Sequence, residues 1–176
     1  MEYVALNNGI RCPAVGIGTF MLAPADAENS VKEALKMGCR LVDTANAYVN
    51  ERTVGRGIKA SGVPGEAIFL STKPWPSEYE NEHAVDETLE RLEVADVDLL
   101  YIHQPAGNWL AGYRQLEKAY REGRPRPSAF PILKADTSQS WRKNGRSFRS
   151  LCKRRPIPIS PRQHFGRRWK STVSSS

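Results

Sequence analysis

Cysteine and histidine are scarce in this 176-residue chain, at three each. Cys12, Cys39 and Cys152 stand far apart, with no CxxC pair and no metal-ligand spacing. That argues against a disulfide framework or a zinc site and for structural thiols in a reducing compartment. Long hydrophobic runs are absent too; none approaches the ~18–20 residues needed to span a bilayer. Met1-Glu2-Tyr3-Val4 lacks the basic stretch and apolar core of a secretory signal, so a soluble cytoplasmic protein is expected, with no membrane partner. There is also no GxGxxG following a strand. Gly16-x-Gly18 is too short for that fingerprint, which disfavours a Rossmann dehydrogenase.

The most consequential absence is of acid near the C-terminus. Residues 124–176 hold 14 Lys/Arg and a single carboxylate, Asp136, for a net +13. Residues 1–123 hold 12 Lys/Arg and 18 Asp/Glu, for a net −6. The formal total of +7 is therefore the sum of two unlike pieces.

The first piece is regularly patterned. Asn7-Asn8-Gly9 is a tight-turn signal within loosely alternating residues 3–12, which predicts a hairpin. Ala14 to Gly18 form a short apolar stretch. From Ala25 to Met37, Val31, Ala34 and Leu35 fall on one helical face before Gly38 stops the segment. Strands are predicted at Arg40–Asp43, Ala67–Thr72 and Val97–Ile102. Helices are predicted over 50–60 with Val54 and Ile58 inward, over Glu80–Leu92, and over Gly112–Arg121 with Leu116, Ala119 and Tyr120 inward and a Glu117–Arg121 pair. Alternation of strand and helix with short links predicts an α/β fold with a parallel sheet covered by helices. The near-continuous apolar strands fit burial on both faces. A doubly wound sheet and a (β/α) barrel both satisfy this pattern.

Asp43, Lys73 and His103 each follow a predicted strand end, and Tyr48 lies five residues after Asp43. In parallel α/β folds that rim binds ligands. Each residue also has a plain structural role open to it. Asp43 could cap a helix, Tyr48 could be packing, Lys73 a solvated loop lysine, His103 a core histidine. Together they form a coherent chemical set. A phenol can protonate a carbonyl oxygen if a nearby ammonium stabilises the phenolate, the ammonium needs a carboxylate, and an imidazole can hold the substrate oxygen.

Longer stretches carry a resemblance. LNNG at 6–9, VGIGTF at 15–20, GCRLVDTANAYVNE at 38–51, FLSTKPWP at 69–76 and VDLLYIHQPAGNW at 97–109 resemble the N-terminal half of an aldo-keto reductase. His-Gln-Pro-x-Gly at 103–107 is similar to the bacterial diketogluconate-reductase-like branch. The resemblance implies a (β/α)8 TIM barrel whose base is plugged by the hairpin, and NADPH-dependent reduction of aldehydes or ketones to alcohols. It implies that Tyr48 is the proton donor and that Lys73 lowers its pKa. It further implies that Asp43 pairs with Lys73 and contributes to the cofactor site, and that His103 orients the carbonyl. Gly18, Thr19 and Phe20 match the segment approaching the nicotinamide. Trp75 and Trp109 match regions lining the substrate pocket, although simple packing accounts for tryptophans equally well. The cofactor carries the hydride chemistry, and no metal is expected.

The match fades after Arg124. Where the family has a fifth strand, this chain reads Pro125-Arg126-Pro127-Ser128-Ala129-Phe130. Residues 124–176 contain six prolines, ten serines and ten arginines, a composition that cannot bury enough surface to offset chain entropy. The expectation is a partial barrel over 1–124, made of the hairpin and about four βα units, and a disordered basic tail over 125–176. Out-of-frame translation of a GC-rich gene would produce such a tail, a hypothesis that reading the other two frames after codon 124 tests. Three functions follow: a reductase; an inactive truncated half-barrel that self-associates through open edges; and, less favoured than an accidental cationic tail, a basic arm for nucleic acid.

Overall fold

The computed structural model describes residues 1–6 and 10–122. The tail expected over 125–176, and with it the nucleic-acid arm and Cys152, lie outside the described residues. Strands β1 (Tyr3–Ala5) and β2 (Arg11–Pro13) pair antiparallel, with Tyr3 opposite Pro13. The Leu6 N–H donates to the Ile10 carbonyl at 2.8 Å, which extends the pairing by one step, while the turn expected at Asn7-Asn8-Gly9 lies outside the described residues.

Four strands follow in parallel, in the order β3 (Ile17–Gly18), β4 (Leu41–Asp43), β5 (Phe69–Thr72) and β6 (Leu99–Leu100). Between and after them run α1 (Pro24–Lys36), α2 (Glu51–Ser61), α3 (Ala84–Leu92) and α4 (Trp109–Arg121). The strand–helix alternation is thus the one read from periodicity.

Strand alternation divides the sheet into two faces of different character. Val42 pairs with Leu70 and Thr72 with Leu100, and Val42, Leu70, Leu100 and Ile102 join Val31, Leu35, Val54, Leu92 and Leu116 of the helices in one core. Full burial of each such side chain stabilises the fold by about 1.5–3 kcal/mol. The other face carries the row Gly18, Asp43, Ser71, and by the same alternation Lys73 and Tyr101 one step further along and His103 one step beyond Tyr101. Toward the helices the strands are apolar except at Thr72, and on the other face polar groups gather at the C-terminal ends, beyond Leu41 and Phe69.

Helix α2 lies pressed between its neighbours, and two glycines permit it. A Cβ on Gly57 would sit 2.6 Å from the Glu28 carbonyl oxygen of α1, and one on Gly55 would collide with the Leu92 carbonyl of α3.

Several boundaries differ from the periodic reading; β5 begins at Phe69 instead of Ala67, which closes a 3₁₀ turn over Gly65–Ala67. Helix α3 begins at Ala84 instead of Glu80, because Tyr79 is fully buried and the Asn81 side chain accepts from the His83 N–H at 2.9 Å. That local bond offers the backbone a turn in place of a helix. Helix α4 begins at Trp109 instead of Gly112, since Asn108 caps it by accepting from the Ala111 N–H at 3.3 Å. Within α4, Tyr113 is buried while Tyr120, expected inward, is half-buried. The last strand is shorter than Val97–Ile102, although Asp98 and Tyr101 still donate backbone bonds to Leu70 and Thr72. Among the described residues no helix is long and apolar enough to cross a membrane.

Candidate active site

Strand β4 ends at Asp43, but its pairing with β5 continues. The Thr44 N–H donates to the Ser71 carbonyl at 2.9 Å and the Asn46 N–H to the Lys73 carbonyl at 3.4 Å. The chain then turns through a single 3₁₀ turn, Asn46–Tyr48. Val49 follows with φ +57°, a left-handed conformation that is rare for a β-branched residue. Such a residue costs on the order of 1–3 kcal/mol and persists where its surroundings over-determine it. Here Asn50, buried at the start of α2, donates through Nδ2 to the carbonyls of Thr19 at 2.9 Å and Leu22 at 3.1 Å. The turn bearing Tyr48 is thereby tied to the loop after β3.

Lys73 projects from the end of β5 and is 5 % exposed. Its Nζ donates to Asp43 Oδ2 at 2.6 Å and to the Thr44 carbonyl at 3.1 Å. It also lies 5.0 Å from the ring centroid of Tyr48 and 5.0 Å from that of Tyr101. Burying an ammonium costs several kcal/mol unless a well-placed anion compensates, and Asp43 is that anion. The carboxylate is itself held: its Oδ1 accepts from Ser71 Oγ at 2.6 Å and from Tyr101 Oη at 2.9 Å. Burial, and next the charge of Asp43, push the Tyr101 phenol far above its ordinary pKa.

Aromatic rings complete the cluster. The His103 ring meets Tyr48 edge-on with centroids 5.9 Å apart, and Trp75 edge-on at 4.6 Å. Phe20 lies against Tyr48 at 5.0 Å and is itself 65 % exposed. Asp43, Tyr48, Lys73, His103, Trp75 and Phe20, all named from sequence, therefore meet in one place. Gly18 sits beside Asp43 in the sheet, and a Cβ on it would meet nothing within 4 Å. Thr19 is fully buried, with its hydroxyl 2.9 Å from that of Thr44 and 3.3 Å from the Asp43 carbonyl. Trp109 opens α4 and packs, partly buried, against the core.

Sequence reasoning missed Ser71, Tyr101, Thr44 and Asn50. A signal existed for two of them. Ser71 precedes Lys73 by two residues and Tyr101 precedes His103 by two, so strand alternation puts each on the same face as its neighbour. Among the described residues no group of three or more His, Cys, Asp or Glu is placed to hold a metal.

A profile of the "Aldo/keto reductase family" matches residues 14–130. The chain belongs to the aldo/keto reductase family. Of its relatives, the morphine 6-dehydrogenase of Pseudomonas putida is 38% identical over 129 residues, covering 70% of this chain and 44% of that protein. The glycerol 2-dehydrogenase (NADP(+)) of Saccharomyces cerevisiae is 46% identical over 106 residues, covering 60% and 34%. The crystal structure of an aldo/keto reductase from Brucella melitensis superposes with a TM-score of 0.72 at 36% identity, over 82% of this chain and 59% of that one. This aldo/keto reductase chain thus spans less than half the length of either curated relative.

Proposed function

We propose that residues 1–124 form the first half of a (β/α)8 barrel bearing the proton-transfer site of an NADPH-dependent reductase of aldehydes and ketones. The observation that carries this reading is the buried Lys73 ammonium, 2.6 Å from Asp43 and 5.0 Å from the Tyr48 ring. The ammonium is held dry against the Tyr48 ring, and the phenol is the group beside it that can exchange a proton with a carbonyl or alcohol. Asp43 holds the ammonium in place, and His103, edge-on to Tyr48, is sited to accept or donate a hydrogen bond at the substrate oxygen. Trp75, 37 % exposed, and Phe20 form apolar walls beside the phenol.

The described residues fit the nicotinamide end of the cofactor: Gly18 leaves open space next to Asp43, and the exposed Phe20 ring offers a flat apolar surface. Gly18, Thr19, Phe20 and Asp43 would hold that end, and the cofactor when bound would supply the hydride. Tyr48 then delivers the proton to the carbonyl oxygen, while Lys73 and Asp43 keep the charge around it balanced.

A second reading is favoured by a specific observation. The chain covers under half of its relatives, and the sheet leaves one side of β3 and one side of β6 unpaired among the described residues. On that reading the chain is an inactive half-barrel. Loss of NADPH absorbance with a reactive aldehyde separates the two. Turnover that falls by about 10²-fold or more in Tyr48→Phe supports the reductase. A folded chain without turnover supports the inactive form.

A further inference from the structure

We propose that Tyr101 is a positioning residue for the Asp43–Lys73 pair: its phenol fixes one carboxylate oxygen so that the other stays turned to the ammonium, while its ring, like that of Tyr48, lies against Lys73. The inference rests on the reading of Asp43 and Lys73 given above and extends it to a residue outside that set.

Three observations converge on it. Tyr101 Oη donates to Asp43 Oδ1 at 2.9 Å, on the oxygen that Lys73 does not use. Tyr101 directly follows β6, and its side chain reaches Asp43 on β4 across the intervening β5. Its ring centroid is 5.0 Å from Lys73 Nζ, the same distance as that of Tyr48, so the ammonium lies against two aromatic rings.

The need for such a residue follows from exposure. The Asp43 side chain is 34% exposed whereas that of Lys73 is 6% exposed. A half-open carboxylate can rotate toward water; the ammonium beneath it cannot follow. Two hydroxyl donors on Oδ1, from Ser71 and Tyr101, oppose that rotation. Because burial and the Asp43 charge hold the Tyr101 phenol in its protonated form, it remains a donor across the working pH range. By drawing charge from the carboxylate, these donors also leave more of the ammonium's field directed at Tyr48.

Amine labelling of the full chain with trinitrobenzenesulfonate, read lysine by lysine by mass spectrometry, tests this. In Tyr101→Phe the Lys73 rate rises roughly tenfold or more, while exposed Lys36, Lys59 and Lys118 label as before. Asp43→Asn raises Lys73 labelling as well. A rise in Asp43→Asn without one in Tyr101→Phe overturns the role of Tyr101 and leaves the ion pair standing. No rise in either variant removes the pair itself, and with it the proposed reductase site. Should Tyr101→Phe expose every lysine through unfolding, the tyrosine ¹³Cζ shift of Tyr101 at neutral pH, compared between the parent and Asp43→Asn, decides. Loss of the hydrogen bond to the carboxylate moves that shift; an unchanged shift rejects the contact.

Discussion

The Asp43–Lys73 pair is asymmetric, and the asymmetry makes a thermodynamic prediction. Asp43→Asn leaves a buried ammonium without its counter-ion, facing only neutral carbonyl oxygens such as that of Thr44, whereas Lys73→Met leaves a carboxylate that is partly open to water and still accepts from two hydroxyls. Asp43→Asn is therefore expected to be the more destabilising, by about 2–4 kcal/mol, because it strands the charge that water cannot reach. The double variant costs less than the sum of the singles, with a coupling of roughly 1–3 kcal/mol. Urea unfolding of the four proteins measures this, and additive single effects would mean the pair is not formed in solution. These two residues were legible in the sequence because each follows a strand of apolar residues, and strand ends are where polar groups of a parallel sheet gather. Tyr101 was not, since a tyrosine inside an apolar run reads as packing, and only the register of β4, β5 and β6 puts its hydroxyl on Asp43.

Between elements, the informative contact joins α2 to α3. Glu51, the first residue of α2, is buried with a 2% exposed side chain and accepts from Arg91 Nε of α3 at 2.5 Å. Burial pushes its carboxyl above the usual range, and the bond and charge of Arg91 pull back without cancelling that effect. A carboxyl whose folded pKa is raised contributes stability that is present below its unfolded pKa and lost as pH rises through the folded value. Glu51→Gln keeps an acceptor for Arg91 and removes the charge, so the variant melts higher than the parent at pH 7 and the gain shrinks toward pH 4. Thermal unfolding followed by circular dichroism at the two pH values checks the sign; an equal difference at both would exclude Glu51 as the cause. The helices themselves were readable, since Val31 with Leu35 and Leu116 with Ala119 keep helical spacing and all four enter the core. Their first turns were less so. The starts of α3 and α4 depend on where the Asn81 and Asn108 side chains hydrogen-bond, and periodicity of apolar residues carries no information about that.

At the scale of the whole molecule, two forces for self-association are separable. Strands β3 and β6 each have one unpaired side among the described residues, but each is only two residues long, which limits how strongly an edge can template another copy. Charge is the larger asymmetry: residues 1–123 are net −6 and residues 124–176 net +13. Opposite charges of that size on one chain attract between copies, and the attraction weakens as added salt shortens the screening length from about 10 Å at 0.1 M to about 3 Å at 1 M. The full chain is therefore expected to form species larger than a monomer at low ionic strength, and to dissociate as salt is raised. A version ending at Gly123 lacks the basic partner and should lose that salt response. Sedimentation velocity on both proteins, at about 0.05 M and about 0.5 M salt, distinguishes the forces. Oligomers that persist in high salt and in the shortened chain would assign the association to the sheet edges, because backbone pairing between strands does not draw on the cationic charge of residues 124–176.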